Sequence, residues 1–148
     1  MNAAVLVALA LLTGALVPLQ LAFNGQLGTA LRSPYLGACG VFVIGTLSTM
    51  VLLILVRSPL PSPTDLKDVP VTAWIGGLIA TAYIVAIVFL VPKLGVGVTA
   101  ILIIAGQIVV ALALDHFGAF GAPQDPLTAA RSAGAALVLA GAALVKLA

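Results

Sequence analysis

The sequence predicts an all-α integral membrane protein with five membrane-spanning helices. Of its 148 residues, 63% are hydrophobic and 7% are charged, whereas soluble domains carry roughly a quarter charged residues. The run from Val96 to Leu114 has no charged side chain, and at about 1.5 Å per residue it can cross a hydrocarbon core of about 30 Å. No polar–apolar alternation typical of a membrane barrel is present, so the apolar segments are expected to be helices.

The predicted helices belong to a single membrane domain that covers residues 1–148. They span about residues 3–22, 35–56, 71–91, 96–114 and 129–145. A polar turn is predicted at residues 24–26, and a proline-rich, irregular surface loop at 57–70. No basic stretch precedes the first apolar segment, so we expect a retained transmembrane helix rather than a secretory signal.

Charge and cysteine content exclude several classes of protein. The net charge of +2 is small and scattered, which argues against nucleic-acid binding. The single cysteine, Cys39, cannot form a disulfide within the chain. The chain has one histidine, four aspartates and no glutamate, and their spacing matches no metal site, nucleophile triad or phosphate loop. We therefore expect neither an enzyme nor a cofactor.

Basic residues are balanced between the two sides of the predicted topology, in which five spans place the chain ends on opposite sides. The N-terminal side holds Arg57, Lys67 and Arg131, and the other side holds Arg32, Lys93 and Lys146. The positive-inside rule therefore fixes no orientation. Two interpretations stay open: one orientation prevails despite the few charges, or copies insert both ways and pair as an antiparallel dimer.

The first helix carries a polar stripe. Thr13, Gln20 and Asn24 are spaced by seven and four residues, which places them on one helical face. Pro18 removes a backbone donor on the same helix and frees a carbonyl group. The pattern favours a cavity lining. The alternative is that Gln20 and Asn24 bond to neighbouring helices, a contact worth about 0.6–2 kcal/mol.

Two aromatic residues of the third predicted span are further candidates for ligand contact. Trp74 lies near its start, where an aromatic belt residue is expected. Tyr83 lies deeper, and its hydroxyl group needs a hydrogen-bond partner there.

The fourth span places a primary amide, that of Gln107, in its middle and an acidic and a basic group at its end. Small neighbours along the same face leave room for another helix or for a solute. Asp115 and His116 follow at the rim. Either they sit in headgroup water, or they form a protonatable gate, since histidine titrates near neutral pH.

The last span consists largely of small residues. Gly134 and Gly141 are seven residues apart and share a face, which allows two helix backbones to approach closely. Packing inside one protomer and contact between two copies are both compatible with this face.

Six stretches of the sequence together resemble a known family. They are PLQLAFNGQLG from Pro18, SPYLGA from Ser33, WIGGLIATAYIV from Trp74, VPKLGVG from Val91, AGQIVVALALDHFG from Ala105 and RSAGAALVLAGAALV from Arg131. They resemble the YdcZ-like (DUF606) family of the drug/metabolite transporter superfamily over essentially the whole chain. The GQ…LDHFG pattern is the most specific part.

The resemblance implies a multi-pass protein of the bacterial inner membrane. Larger members of the superfamily look like two five-helix units fused in inverted orientation. One such unit is then half of a ten-helix inverted-repeat basket, completed by an antiparallel homodimer or a paralogous heterodimer. The Gly134–Gly141 spacing is similar to the dimerisation helix of small multidrug resistance proteins. Those proteins couple protons through a first-helix glutamate, which this chain lacks, so their mechanism does not carry over.

These observations predict a secondary transporter or facilitator of a small organic solute, with alternating access at a dimer-interface cavity in the lipid bilayer. The predicted solute contacts are Gln20, Asn24, Trp74, Tyr83 and Gln107, the gate is Asp115 and His116, and the dimer contact is Gly134 and Gly141. The absence of a buried carboxylate favours a neutral or weakly polar solute over a quaternary cation. The alternatives are a channel and a non-transporting membrane scaffold or assembly subunit.

Overall fold

A computed structural model describes residues 2–147, which form six α-helices, one short 3₁₀ turn and no strand. The helices are α1 (Ala3–Ala30), α2 (Pro34–Val56), α3 (Pro63–Lys67), α4 (Val71–Leu94), α5 (Val96–Phe117) and α6 (Ala129–Leu147), and the 3₁₀ turn is Ala119–Gly121. All except α3 are long and apolar enough to cross a membrane. The predicted all-helical protein with five candidate spans is confirmed.

Contacts divide the chain into two compact units, each described by itself. The first unit, residues 1–93, contains α1, α2, α3 and nearly all of α4. The second unit, residues 94–148, contains α5, the 3₁₀ turn and α6, and its two helices pack against each other.

Helix α1 is longer than the sequence predicts. The prediction of a turn at residues 24–26 was wrong. The helix continues through these residues to Ala30, and the chain reverses only afterwards. There the Arg32 N–H donates to the Thr29 carbonyl and the Ser33 N–H to the Gly28 carbonyl, both at 3.1 Å. Packing overrides the turn preference of an Asn-Gly pair, because Gly25 and Gly28 are buried against α4.

Three glycines set how closely α1, α2 and α4 approach. A Cβ atom built on Gly25 would lie 2.7 Å from the Val91 Cγ1 atom, and one built on Gly28 would overlap the Val88 Cγ1 atom. A Cβ atom on Gly37 of α2 would lie 2.6 Å from the Gly28 Cα atom. The end of α1, the start of α2 and the end of α4 therefore meet at one tightly packed point, which we call the glycine junction.

The buried apolar core is small, and most large apolar side chains are exposed. Leu21 and Ile87 are fully buried, whereas Leu11 is 71% and Ile54 is 75% exposed. In water such a surface would be unfavourable, but in a bilayer it faces lipid tails or another apolar helix.

The segment between α2 and α4 is more ordered than the irregular loop that the sequence predicts. Its short helix α3 begins with a reciprocal cap between Ser62 and Asp65. The Ser62 hydroxyl and the Ser62 backbone N–H both donate to the Asp65 carboxylate, at 2.7 and 2.8 Å. These two bonds hold the pKa of Asp65 below its usual range, and the bond from the hydroxyl has the larger effect.

Candidate functional site

Three of the predicted contact residues lie near the middle of their spans. Gln107 is at the centre of α5 and Tyr83 at the centre of α4, while Gln20 lies about one turn past the centre of α1. At these depths a polar group meets hydrocarbon unless protein, water or a solute contacts it.

The Gln20 and Gln107 amides are exposed, and neither forms a hydrogen bond to the described residues of its own unit. The alternative interpretation, in which Gln20 bonds to a neighbouring helix, is thus not supported within the first unit. A primary amide has two donors and an acceptor, and leaving these groups unbonded in hydrocarbon costs several kcal/mol by order of magnitude. A partner outside the unit is needed to satisfy them.

Asn24 lies one turn beyond Gln20 on α1, in a different environment. It is 6% exposed, and its Nδ2 atom has no hydrogen-bond partner among the described residues. A buried donor without a partner costs about 1–3 kcal/mol. The end of α1 therefore holds an unsatisfied polar group next to the glycine junction.

The structure does not bring Trp74 and Asn24 together. Asn24 lies near Val91 of α4, because it is next to Gly25 in the chain. A Cβ atom built on Gly25 would lie 2.7 Å from the Val91 Cγ1 atom. Trp74 comes seventeen residues before Val91 on the same helix α4, a separation of about 25 Å. Trp74 is 62% exposed and lines a groove with residues of the α3 segment, where a membrane-interface tryptophan is expected. Within one protomer these two residues cannot contact the same small solute.

Asp115 forms an ion pair with Arg131, a contact that the sequence did not predict. The Arg131 Nη2 atom donates to the Asp115 Oδ2 atom at 2.7 Å, and the side chains are 27% and 38% exposed. The Arg131 Nη1 atom lies 3.0 Å from the Asp125 carboxylate and donates to the Asp125 carbonyl at 2.7 Å. Arg131 is thus a partly buried, doubly paired cation rather than a free one.

His116 helps to fix the loop between α5 and α6. Its Nδ1 atom accepts a hydrogen bond from the Leu127 N–H at 3.1 Å, and its carbonyl accepts one from the Gln124 amide at 3.2 Å. The Asp125 N–H donates to the Asp115 carbonyl at 2.9 Å. These three hydrogen bonds tie the end of α5 to residues 124–127 of the loop.

Sequence reasoning singled out Asp115 and His116 but missed their partners, Arg131 and Gln124. The partners lie eight to sixteen residues away across a loop without periodicity. The only available signal is that a lone acidic residue ends one helix and a lone basic residue begins the next. In the described part of the chain, no cluster of side chains could hold a metal ion.

Comparison with known families agrees with this membrane architecture. A family model described as "Putative inner membrane exporter, YdcZ" matches residues 5–144. The chain belongs to the YdcZ family. The protein is therefore a multi-pass protein of the inner membrane, and the predicted family and location are confirmed. Membership of the YdcZ family indicates a transport protein rather than an enzyme. No curated protein and no solved structure matches the chain.

Loss of Arg131 is expected to loosen the α5–α6 loop of this YdcZ family protein. Arg131→Gln removes both carboxylate contacts, and partly exposed pairs of this kind contribute about 1 kcal/mol. Hydrogen exchange of residues 118–128 should then be several times faster. Lys67→Gln, which removes a cation without an ion pair in residues 2–147, serves as the control. Equal exchange in both variants would show that the pairs do not hold the loop.

Proposed function

We propose that the protein is a secondary transporter or facilitator of a small organic solute and that it works as an antiparallel homodimer. Each copy would supply one half of a ten-helix inverted-repeat basket with a solute cavity at the dimer interface. The observation that carries the proposal is the pair of exposed, unbonded amides of Gln20 and Gln107 near mid-span. Water or solute in a cavity, or a second copy, would satisfy them.

The distribution of the predicted contacts supports an inverted arrangement. Within one protomer, Asn24 and Trp74 lie toward opposite ends of the first unit. Inversion of a second copy brings the Trp74 end of one protomer level with the Asn24 end of the other. The predicted contact residues of this unit can then surround a single cavity, with Tyr83 near its middle.

The small-residue face of α6 supports contact between copies. Apart from the nearby backbone of α6 itself, no atom of the second unit lies within 4 Å of a Cβ atom built on Gly134 or Gly141. These glycines therefore do not serve close packing within their own unit, and their face is open to another helix.

The chemistry of the spans supports a neutral or weakly polar solute. The charged groups of the five spans lie in their terminal turns, so the middle offers amide, hydroxyl and aromatic groups instead. Asp115 and His116 would act as a rim gate, because they fix the α5–α6 loop and a change in their contacts would release it.

Replacement of the central amide tests the proposal. Gln107→Leu in proteoliposomes, assayed with a panel of labelled neutral organic solutes, is expected to lower flux about fivefold or more, since one lost hydrogen bond is worth about 1 kcal/mol. Gln26→Leu is the control, because Gln26 is also exposed but lies in the last turns of α1. Unchanged flux for Gln107→Leu, with dimerisation intact, would show that the amide only packs against a helix.

A further inference from the structure

A groove beside the glycine junction has the chemistry of a lipid headgroup site. It measures about 220 Å³ and is formed entirely within the first unit. Its walls come from the end of α1, the α1–α2 turn and the end of α4, and the lining includes Arg32, Pro34, Val88, Phe89 and Lys93. We propose that this groove binds an anionic phospholipid, with the headgroup phosphate between Arg32 and Lys93.

The two cations come from separate parts of the chain and converge on one groove. Neither forms an ion pair within residues 2–147. The carboxylates of the first unit, Asp65 and Asp68, lie beyond the far end of α2, whose 23 residues span about 35 Å. The groove therefore holds positive charge that the first unit does not neutralise, and an anionic phosphate complements it.

Local structure positions the Lys93 side chain and the Arg32 backbone. The Lys93 Nζ atom lies 3.8 Å from the centre of the Phe89 ring, a cation–π contact. Arg32 sits in a left-handed turn with φ 53°, fixed by the two backbone hydrogen bonds that end α1.

The position of the groove matches the headgroup level of a bilayer. Arg32 and Lys93 stand at the ends of two spans, while Val88 and Phe89 lie one turn deeper on the apolar side. Tyr35, 72% exposed beside the turn, is placed as an interfacial aromatic. A phospholipid matches both the charged rim and the apolar side of the groove. Its phosphate would lie at the rim, and its acyl chains would lie along the exposed apolar helices.

Native mass spectrometry of the purified full chain tests the proposal with phosphatidylglycerol, cardiolipin and zwitterionic phosphatidylethanolamine. We expect anionic lipids to stay bound and the Arg32→Gln/Lys93→Gln variant to bind them about thirtyfold more weakly. The matched control, Arg57→Gln/Lys67→Gln, removes two cations at the other end of α2 and should retain binding. Arg57 also occupies a left-handed turn with φ 53°, so the backbone effect of replacing an arginine there is the same.

Three outcomes would overturn the lipid site: equal loss in both double variants, retained binding in the Arg32/Lys93 variant, or displacement of lipid by millimolar inorganic phosphate. The last would identify a free-anion site. Thermal unfolding of each variant separates lost binding from lost folding, and Arg32→Gly provides a second variant that removes the charge while easing the turn. The lipid site does not depend on transport, because the assay needs no solute.

Discussion

Gly37→Ala is expected to destabilise the protein and to lower the midpoint of its thermal or detergent-induced unfolding. The added Cβ atom would lie 2.6 Å from the Gly28 Cα atom and 2.9 Å from its nitrogen. These are backbone atoms, so α1 and α2 must separate to accommodate the methyl group. Overpacking of this kind costs about 1–3 kcal/mol or more, a large share of the stability of a small protein.

Gly45→Ala in the same helix is the matched control. Apart from the nearby backbone of α2 itself, a Cβ atom there meets no atom of the first unit within 4 Å, and alanine is a better helix former than glycine by up to about 1 kcal/mol. The unfolding midpoint of the control should equal that of the original protein or lie at a higher temperature or detergent concentration. An equal loss of stability in both variants would show that the glycine junction is not closely packed.

Gly28→Ala gives an independent check of the same junction. Its Cβ atom would overlap the Val88 Cγ1 atom but lie 3.5 Å from the Val88 Cβ atom. Val88→Ala removes the overlapping group, so the double variant should recover part of the stability lost by Gly28→Ala. Strict additivity of the two substitutions would argue against this contact.

Hydropathy was sufficient to predict the five spans, because each requires only a long run without charge. It could not locate the end of α1. Asn24-Gly25-Gln26 has the composition of a turn, yet the same glycine gives α4 room to pack. Local composition cannot distinguish a glycine that permits a turn from one that permits close packing, because the difference depends on a residue more than sixty positions away.

The candidate site was less predictable than the fold. Spacing placed Gln20 and Asn24 on one stripe, but the structure exposes the first and buries the second. Likewise the sequence did not reveal that the charge of Arg131 is paired with two carboxylates. Burial and pairing depend on tertiary contacts, which periodicity does not report.

The double variant Gly134→Leu/Gly141→Leu is expected to weaken self-association without unfolding the protomer. Apart from the nearby backbone of α6 itself, no atom of the second unit lies within 4 Å of a Cβ atom at either glycine, so each added side chain starts in open space in one copy but keeps two helices apart. We expect dimerisation in liposomes, measured by energy transfer between labelled copies, to weaken on the order of tenfold or more. Gly76→Leu, on α4 and equally free of contacts in its unit, is the control.

Orientation must be measured together with association, because an antiparallel dimer needs both insertions. Reporters fused after Ala148 should give signal in both compartments if copies insert each way. Signal from one compartment alone would show a single orientation, which the balanced count of three basic residues on each side does not predict. That result, or dimerisation that survives both leucines, would rule out an inverted dimer built on α6, and the unbonded amides of Gln20 and Gln107 would then require another partner.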